Sequence, residues 1–227
     1  MGSVSGIISL RSMAVVGTVL VSALFVACAP QPGGTAPTTT TSTTLPWSEP
    51  TGTWTSFDMT CSANVLGAQY PFAQAASVNV EAPLTVQQGE TFDMTVAPGP
   101  FVVPTNVQGF ALTSMSSVRI RFPLSSNAQF VDSVMSAGIN MGSGYPSLTI
   151  VGTDMVYRVP GPLAPGSTVQ LPKVRVTLTA TGAAGSTIEV RKTTLSNVAN
   201  VGGVDVPTTC TPDQPNPLFW ATTITPG

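Results

Sequence analysis

Cys61 and Cys210 enclose nearly every part of the chain that carries a folded pattern, and this pair constrains the architecture most. The third cysteine, Cys28, directly follows an apolar N-terminal stretch. Outside the cytosol, two cysteines left over after an anchor residue pair by default. Closing so long a loop is worth about 4–5 kcal/mol in the chain-entropy model. The bond would pin the first strand of the domain to its last extended segment.

What the loop encloses is short of helix-forming material. Charged residues make up only 8% of the chain, against a usual ~25%, and Gly and Pro number 21 each. With abundant Thr, Ser and Val, that composition favours short strands between turns. The net charge of −2 gives no electrostatic support to a nucleic-acid partner.

The N-terminal part reads as export and attachment. Residues 1–27 are expected to be a signal peptide, because the apolar run Met13–Ala27 is too short for the ~20 residues that span a bilayer. Leu24-Phe25-Val26-Ala27-Cys28 resembles a bacterial lipobox, with Phe25 where Leu is usual. Cys28 is therefore the expected lipidation site, and the membrane an expected partner through that lipid. The alternative is ordinary cleavage after Ala27-Cys28-Ala29, which would give a secreted protein. Residues 28–49 read as a Thr/Pro-rich tether, unable to bury enough surface to fold. An O-glycosylated stalk and a plain spacer fit it equally.

Residues 50–226 read as one β-sandwich domain. In Trp54–Cys61, Thr55, Phe57, Met59 and Cys61 share one face. Ser77–Val86 and Thr91–Val96 follow, joined by a turn at Gln87–Glu90. In Val118–Leu124, Val118, Ile120 and Phe122 alternate with Arg119 and Arg121. Leu148–Val151 and Met155–Val159 predict a hairpin around Gly152-Thr153-Asp154. Val174, Val176 and Leu178 alternate with Lys173, Arg175, Thr177 and Thr179, and Thr187–Lys192 is the next strand. Asn127–Ala137 reads as a short helix or crossover, and Val206–Pro217 as Pro-rich extended chain before an edge strand at Leu218–Ile224. Such spacing without helical intervals points to a single Ig-like antiparallel β-sandwich closed by one disulfide.

An ordered set of short motifs accompanies this pattern. It comprises Asp58-Met59-Thr60-Cys61, Gln88–Phe92, Val159-Pro-Gly-Pro-Leu-Ala-Pro-Gly166, Thr181–Ile188, and Val206-Pro-Thr-Thr-Cys210-Thr-Pro. Over residues 54–225 it resembles exported actinobacterial Ig-like β-sandwich proteins of unknown function. The resemblance implies a disulfide-closed sandwich and an envelope location, and it transfers no active site.

The inventory for chemistry is thin. Without histidine there is no Ser-His-Asp triad, no Cys-His pair and no His-containing zinc site. Lys173 and Lys192 each lack a Ser three residues earlier, and Gly138–Gly144 lacks the Lys of a phosphate loop. Glu90 and Asp93 are the closest acidic pair, at a turn and on a solvent face. No enzyme activity, metal or cofactor is expected.

Two signals favour binding. Residues 49–112 hold five acids and no base, whereas 113–192 hold seven bases and three acids. If their strands are neighbours, Arg119, Arg121, Lys173 and Arg175 would line one anion-binding face; otherwise they pair with Asp132, Asp154 or Glu189 or are solvated. Met59, Met94, Met115, Met135, Met141 and Met155 could line an acyl pocket or fill an ordinary core. The expected role is a non-catalytic envelope module for interaction or structure. Its partner would be an envelope lipid, glycan or protein. A carrier of a hydrophobic or anionic envelope ligand is the alternative.

Overall fold

Apolar residues at every second position give a strand one face that must leave water, and here those faces converge on a shared interior. The computed structural model describes residues 46, 48–107, 109–191 and 194–227. The expectations for residues 1–45, including Cys28, and for Lys192 lie outside the described residues.

Sixteen strands follow in chain order. The first eight are β1 Trp54–Val65, β2 Ala68–Glu81, β3 Thr85–Gln87, β4 Thr91–Pro98, β5 Phe101–Val102, β6 Asn106–Val107, β7 Phe110–Pro123 and β8 Ala128–Met135. Then come β9 Ser147–Val151, β10 Asp154–Val159, β11 Thr168–Val169, β12 Val174–Ala180, β13 Thr187–Arg191, β14 Thr194–Val201, β15 Val204–Pro212 and β16 Leu218–Thr225.

Pairing runs along one ribbon, β8-β12-β4-β2-β1-β15-β14-β7-β10-β9, with β6 beside β7. The fold is all-β with one disulfide, and its main sheet is one eleven-stranded sheet, ten strands along the ribbon and β6 off it. The ribbon curls until its two halves meet. Val96, Val174 and Val176 from one half and Phe122, Leu148 and Met155 from the other line one small void. Tyr157, 1% exposed, crosses the interior to donate its hydroxyl proton to the Pro172 carbonyl at 3.2 Å. Burial pushes that phenol well above its usual pKa.

The alternation is realised where it is cleanest. Val118, Ile120 and Phe122 stand in register with Val159, Tyr157 and Met155, all buried. A three-stranded sheet, β13-β16-β3, adds Val86, Ile188, Val190 and Ile224 to the same core. The hairpin β9–β10 turns at Gly152, whose φ of 63° suits a tight turn.

Three expectations are corrected. Asn127–Ala137 is no helix or crossover: its strand β8 pairs with β12, and a register shift at Thr177/Leu178 breaks the two-residue period. Val206–Pro212 belongs to β15, which lies in the middle of the ribbon between β1 and β14. Pro207 is tolerated there because the β1–β15 ladder ends at Ala63 and Thr208, so no β1 residue waits for its missing N–H. Leu218–Thr225 is the central strand of the small sheet, not an edge.

The disulfide joins residues that face each other across hydrogen-bonded neighbours. Cys61 on β1 is in register with Cys210 on β15, with a sequence separation of 149. Met59, Phe57, Phe72, Ala76 and Leu195 pack around it. The staple therefore sits at the middle of the ribbon and fixes the register on which both halves depend.

Candidate functional site

The curl of the ribbon leaves a half-open cavity of about 270 Å³ between β1–β2 and β7–β14. Its walls are mostly apolar. β2 supplies Ala76 and Val78, β7 supplies Met115, Val118 and Ile120, and Leu195 comes from β14. Small residues border the space: Ala75, Ala76 and Gly99 are part of its lining. At Gly99 a Cβ would lie 1.9 Å from the Ser77 hydroxyl and 3.2 Å from the Ser77 carbonyl oxygen, so a side chain there requires the Ser77 hydroxyl to turn away.

The Pro-Gly-Pro-Leu-Ala-Pro-Gly stretch is bonded to β7 at Met115, one of the residues that line the cavity. Leu163 and Met115 exchange backbone hydrogen bonds of 2.7 and 3.1 Å, which holds this turn against β7. Gly161 is required there. Its φ is 80°, and a Cβ would meet the Met115 carbonyl oxygen at 2.9 Å. A motif noted in the sequence for its turn residues thus holds the backbone of a residue that lines the cavity.

Two amides give the cavity polarity. Asn197 is only 7% exposed, lines the space, and has no side-chain hydrogen-bond partner among the described residues. Gln74 places Oε1 3.6 Å from Cys61 Sγ, but a disulfide sulfur carries no proton to donate. Neither residue stood out in the sequence, because an amide on a strand gives no sign that it faces a void. Phe57 separates this cavity from a more polar crevice and packs on Phe219 with ring centroids 5.0 Å apart.

The four cations singled out in the sequence are not brought together. Five strands separate β7 from β12, so Arg119 and Arg121 lie apart from Lys173 and Arg175 along the ribbon. Their surroundings also differ. Lys173 Nζ donates to the Ser48 carbonyl and hydroxyl at 2.9 and 2.6 Å. Arg175 Nε approaches Asp93 at 3.9 Å, and Asp93 also accepts the Thr177 hydroxyl proton at 2.7 Å. Arg121 Nη1 reaches Asp154 at 3.3 Å. Arg119 stands directly opposite Arg158, a residue the sequence did not bring forward.

The contact of Lys173 with Ser48 belongs to a strap. The segment from Ser48 runs past the end of β2, where Glu81 accepts protons from the Thr51 and Gly52 amides and the Thr51 hydroxyl. Burial raises the Glu81 carboxyl pKa, but these hydrogen bonds, with the nearby Lys173 charge, together bring it below the ordinary value. Lys173 thus serves in positioning the entry of the chain into the domain.

Glu90, at the turn before β4, accepts the Ala180 amide proton through its carbonyl, and Asp93 is engaged as above. The Gly138–Gly144 stretch joins β8 to β9 and precedes no helix.

No family model matches this sequence, and no curated protein matches it. The fold is similar to that of a Corynebacterium diphtheriae protein described as membrane anchored, at 20% identity and a TM-score of 0.57. That similarity covers 77% of this chain and 38% of the other, so the chain spans well under half of that protein. Weaker likenesses are a cohesin module from a Clostridium perfringens family 33 glycoside hydrolase and the C-terminal domain of the Streptococcus agalactiae AgI/II polypeptide BspA. Both are 12% identical, with TM-scores of 0.39 and 0.35. The first covers 67% of this chain and 98% of its own, the second 70% and 59%. At these identities the likeness concerns the fold alone.

Proposed function

We propose that the chain is a non-catalytic Ig-like β-sandwich module outside the cytoplasmic membrane, held there by a lipid on Cys28 and a tether over residues 28–49. In this reading it binds a hydrophobic envelope ligand that carries one polar group. The observation that carries it is the cavity of about 270 Å³, apolar except for Ser56, Gln74, Ser77 and Asn197. That volume is close to the lower edge of the ~300–1,000 Å³ usual for small-molecule sites. Apolar walls accept a chain or ring, while the Asn197 amide on the wall offers a hydrogen bond to a ligand's polar group. The disulfide supports an oxidising compartment. Cavity-filling Ala76→Phe is the test, using displacement of a fluorescent fatty acid from the full-length chain. One probe should bind per wild-type chain and none per variant of unchanged stability. Equal uptake by both proteins, or no uptake by either, overturns the ligand reading. The mass of the exported protein tests the anchor separately: a diacylglyceryl group on Cys28 is expected, and its absence removes the anchor.

A further inference from the structure

We propose that Arg119 and Arg158 form a site for the phosphate of an anionic phospholipid headgroup, on the outer face of β7 and β10 and away from the cavity. The inference rests on the reading of the chain as a membrane-tethered module, and its test needs neither the anchor nor the cavity.

The two arginines are partners in the antiparallel register of β7 and β10. Directly opposed side chains on one sheet face have Cβ atoms about 5 Å apart, and like charges so placed destabilise the pair. Both residues are exposed. Neither has a hydrogen-bond or acidic partner among the described residues, whereas Arg121 on the same strand face is taken by Asp154. Their outward neighbours in the row are Ser147 on β9 and Ser196 on β14, which bring hydroxyls and no countercharge. A repulsive pair on a sheet face is relieved by an oxyanion between the two guanidinium forks. The two non-ester oxygens of a phosphodiester, each with more than one lone pair, can accept from both forks.

The surroundings favour a lipid over free phosphate. Tyr145 is 91% exposed two residues before Ser147, and Val151, at the end of the same edge strand, is 45% exposed. An exposed aromatic two residues from a row of cations without countercharge matches the layered polarity of a membrane surface. A dissolved ion would draw on the arginines alone.

The test follows arginine Nε–Hε resonances of the full-length chain, assigned through the variants Arg119→Gln, Arg158→Gln and Arg175→Gln. The probes are dispersed dihexanoyl phosphatidylglycerol, dihexanoyl phosphatidylcholine and inorganic phosphate. With phosphatidylglycerol, the Arg119 and Arg158 resonances should move together and saturate, while Arg175 stays still. In Arg158→Gln the affinity should fall about tenfold or more, and Arg158→Lys, which keeps charge and loses the fork, should lie between. Fold integrity is read from the remaining amide spectrum. Stationary Arg119 and Arg158 signals, or equal movement of Arg175, overturn the site. Saturation by inorganic phosphate or phosphatidylcholine as tight as by phosphatidylglycerol overturns the anionic-lipid assignment.

Discussion

β7 and β12 carry nearly the same local pattern, a basic residue at alternate positions among buried aliphatics, yet they stand in different electrostatic settings. On β12, Arg175 faces Thr95 and Val134 across its two ladders, approaches Asp93, and follows a lysine that holds the entering chain. On β7, Arg121 finds Asp154, but Arg119 is set against Arg158. The inner faces contrast as well. Ile120 of β7 borders the cavity, whereas Leu178 of β12 is fully enclosed in packed core. A strand's own sequence therefore says which residues face out; the neighbouring strand decides whether they are satisfied.

The contrast can be broken or sharpened experimentally, beginning with what lies between the two strands. Replacing Cys61 and Cys210 together by alanine should cost about 2–5 kcal/mol in denaturant unfolding. Hydrogen-exchange protection should then fall equally in β7 and β12, because the staple sits midway along the ribbon that joins them. A loss confined to one strand would show that the halves are separate units. Next in size is the inner face. Within the ~2–5 kcal/mol usual for large-to-alanine changes, Leu178→Ala should fall near the top and Ile120→Ala near the bottom. Ile120 already lacks neighbours on its cavity side; equal costs would mean that the cavity does not reach it.

Acid should loosen the strap held by Glu81 at the end of β2. The folded Glu81 carboxyl titrates below its unfolded value, so the stability it contributes is present above that unfolded value. This contribution disappears as pH falls through the folded pKa. Glu81→Gln should be less stable than wild type at neutral pH, and the gap should close in acid. A gap that does not change with pH would remove the strap from the account of acid unfolding. The smallest effects have opposite signs. Arg158→Gln should raise stability by about 0.2–1 kcal/mol through relief of the like-charge pair. Arg175→Gln should lose about 0–1 kcal/mol, as surface ion pairs do. Paired melting curves would resolve them, and a loss in Arg158→Gln would contradict the repulsion.

The legible parts of the fold are those in which the period of two is unbroken. The buried sets of β4, β7 and β12 follow directly from alternation, and the hairpin β9–β10 from its Gly-containing turn. β8 was illegible because a bulge shifts its phase against β12. β15 was obscured by prolines whose cost depends on where a neighbouring ladder stops, and a sequence does not mark that point. The cavity was announced only by its methionine supply, and of those residues Met115 alone lines it. Asn197 and Gln74 gave no signal because both are common on strand surfaces.

The sequence by itself determined an all-β chain, the in-or-out sense of its clean strands, and the two cysteines able to close the domain. These follow from local properties: propensity, alternation and residue count. Only the tertiary structure decided that the strands run along one curled ribbon, that small residues of β2 border a cavity against β7, and that Arg119 meets Arg158. Those facts depend on register between segments far apart in the chain, and a shift by one residue would turn every side chain of a strand to the other face.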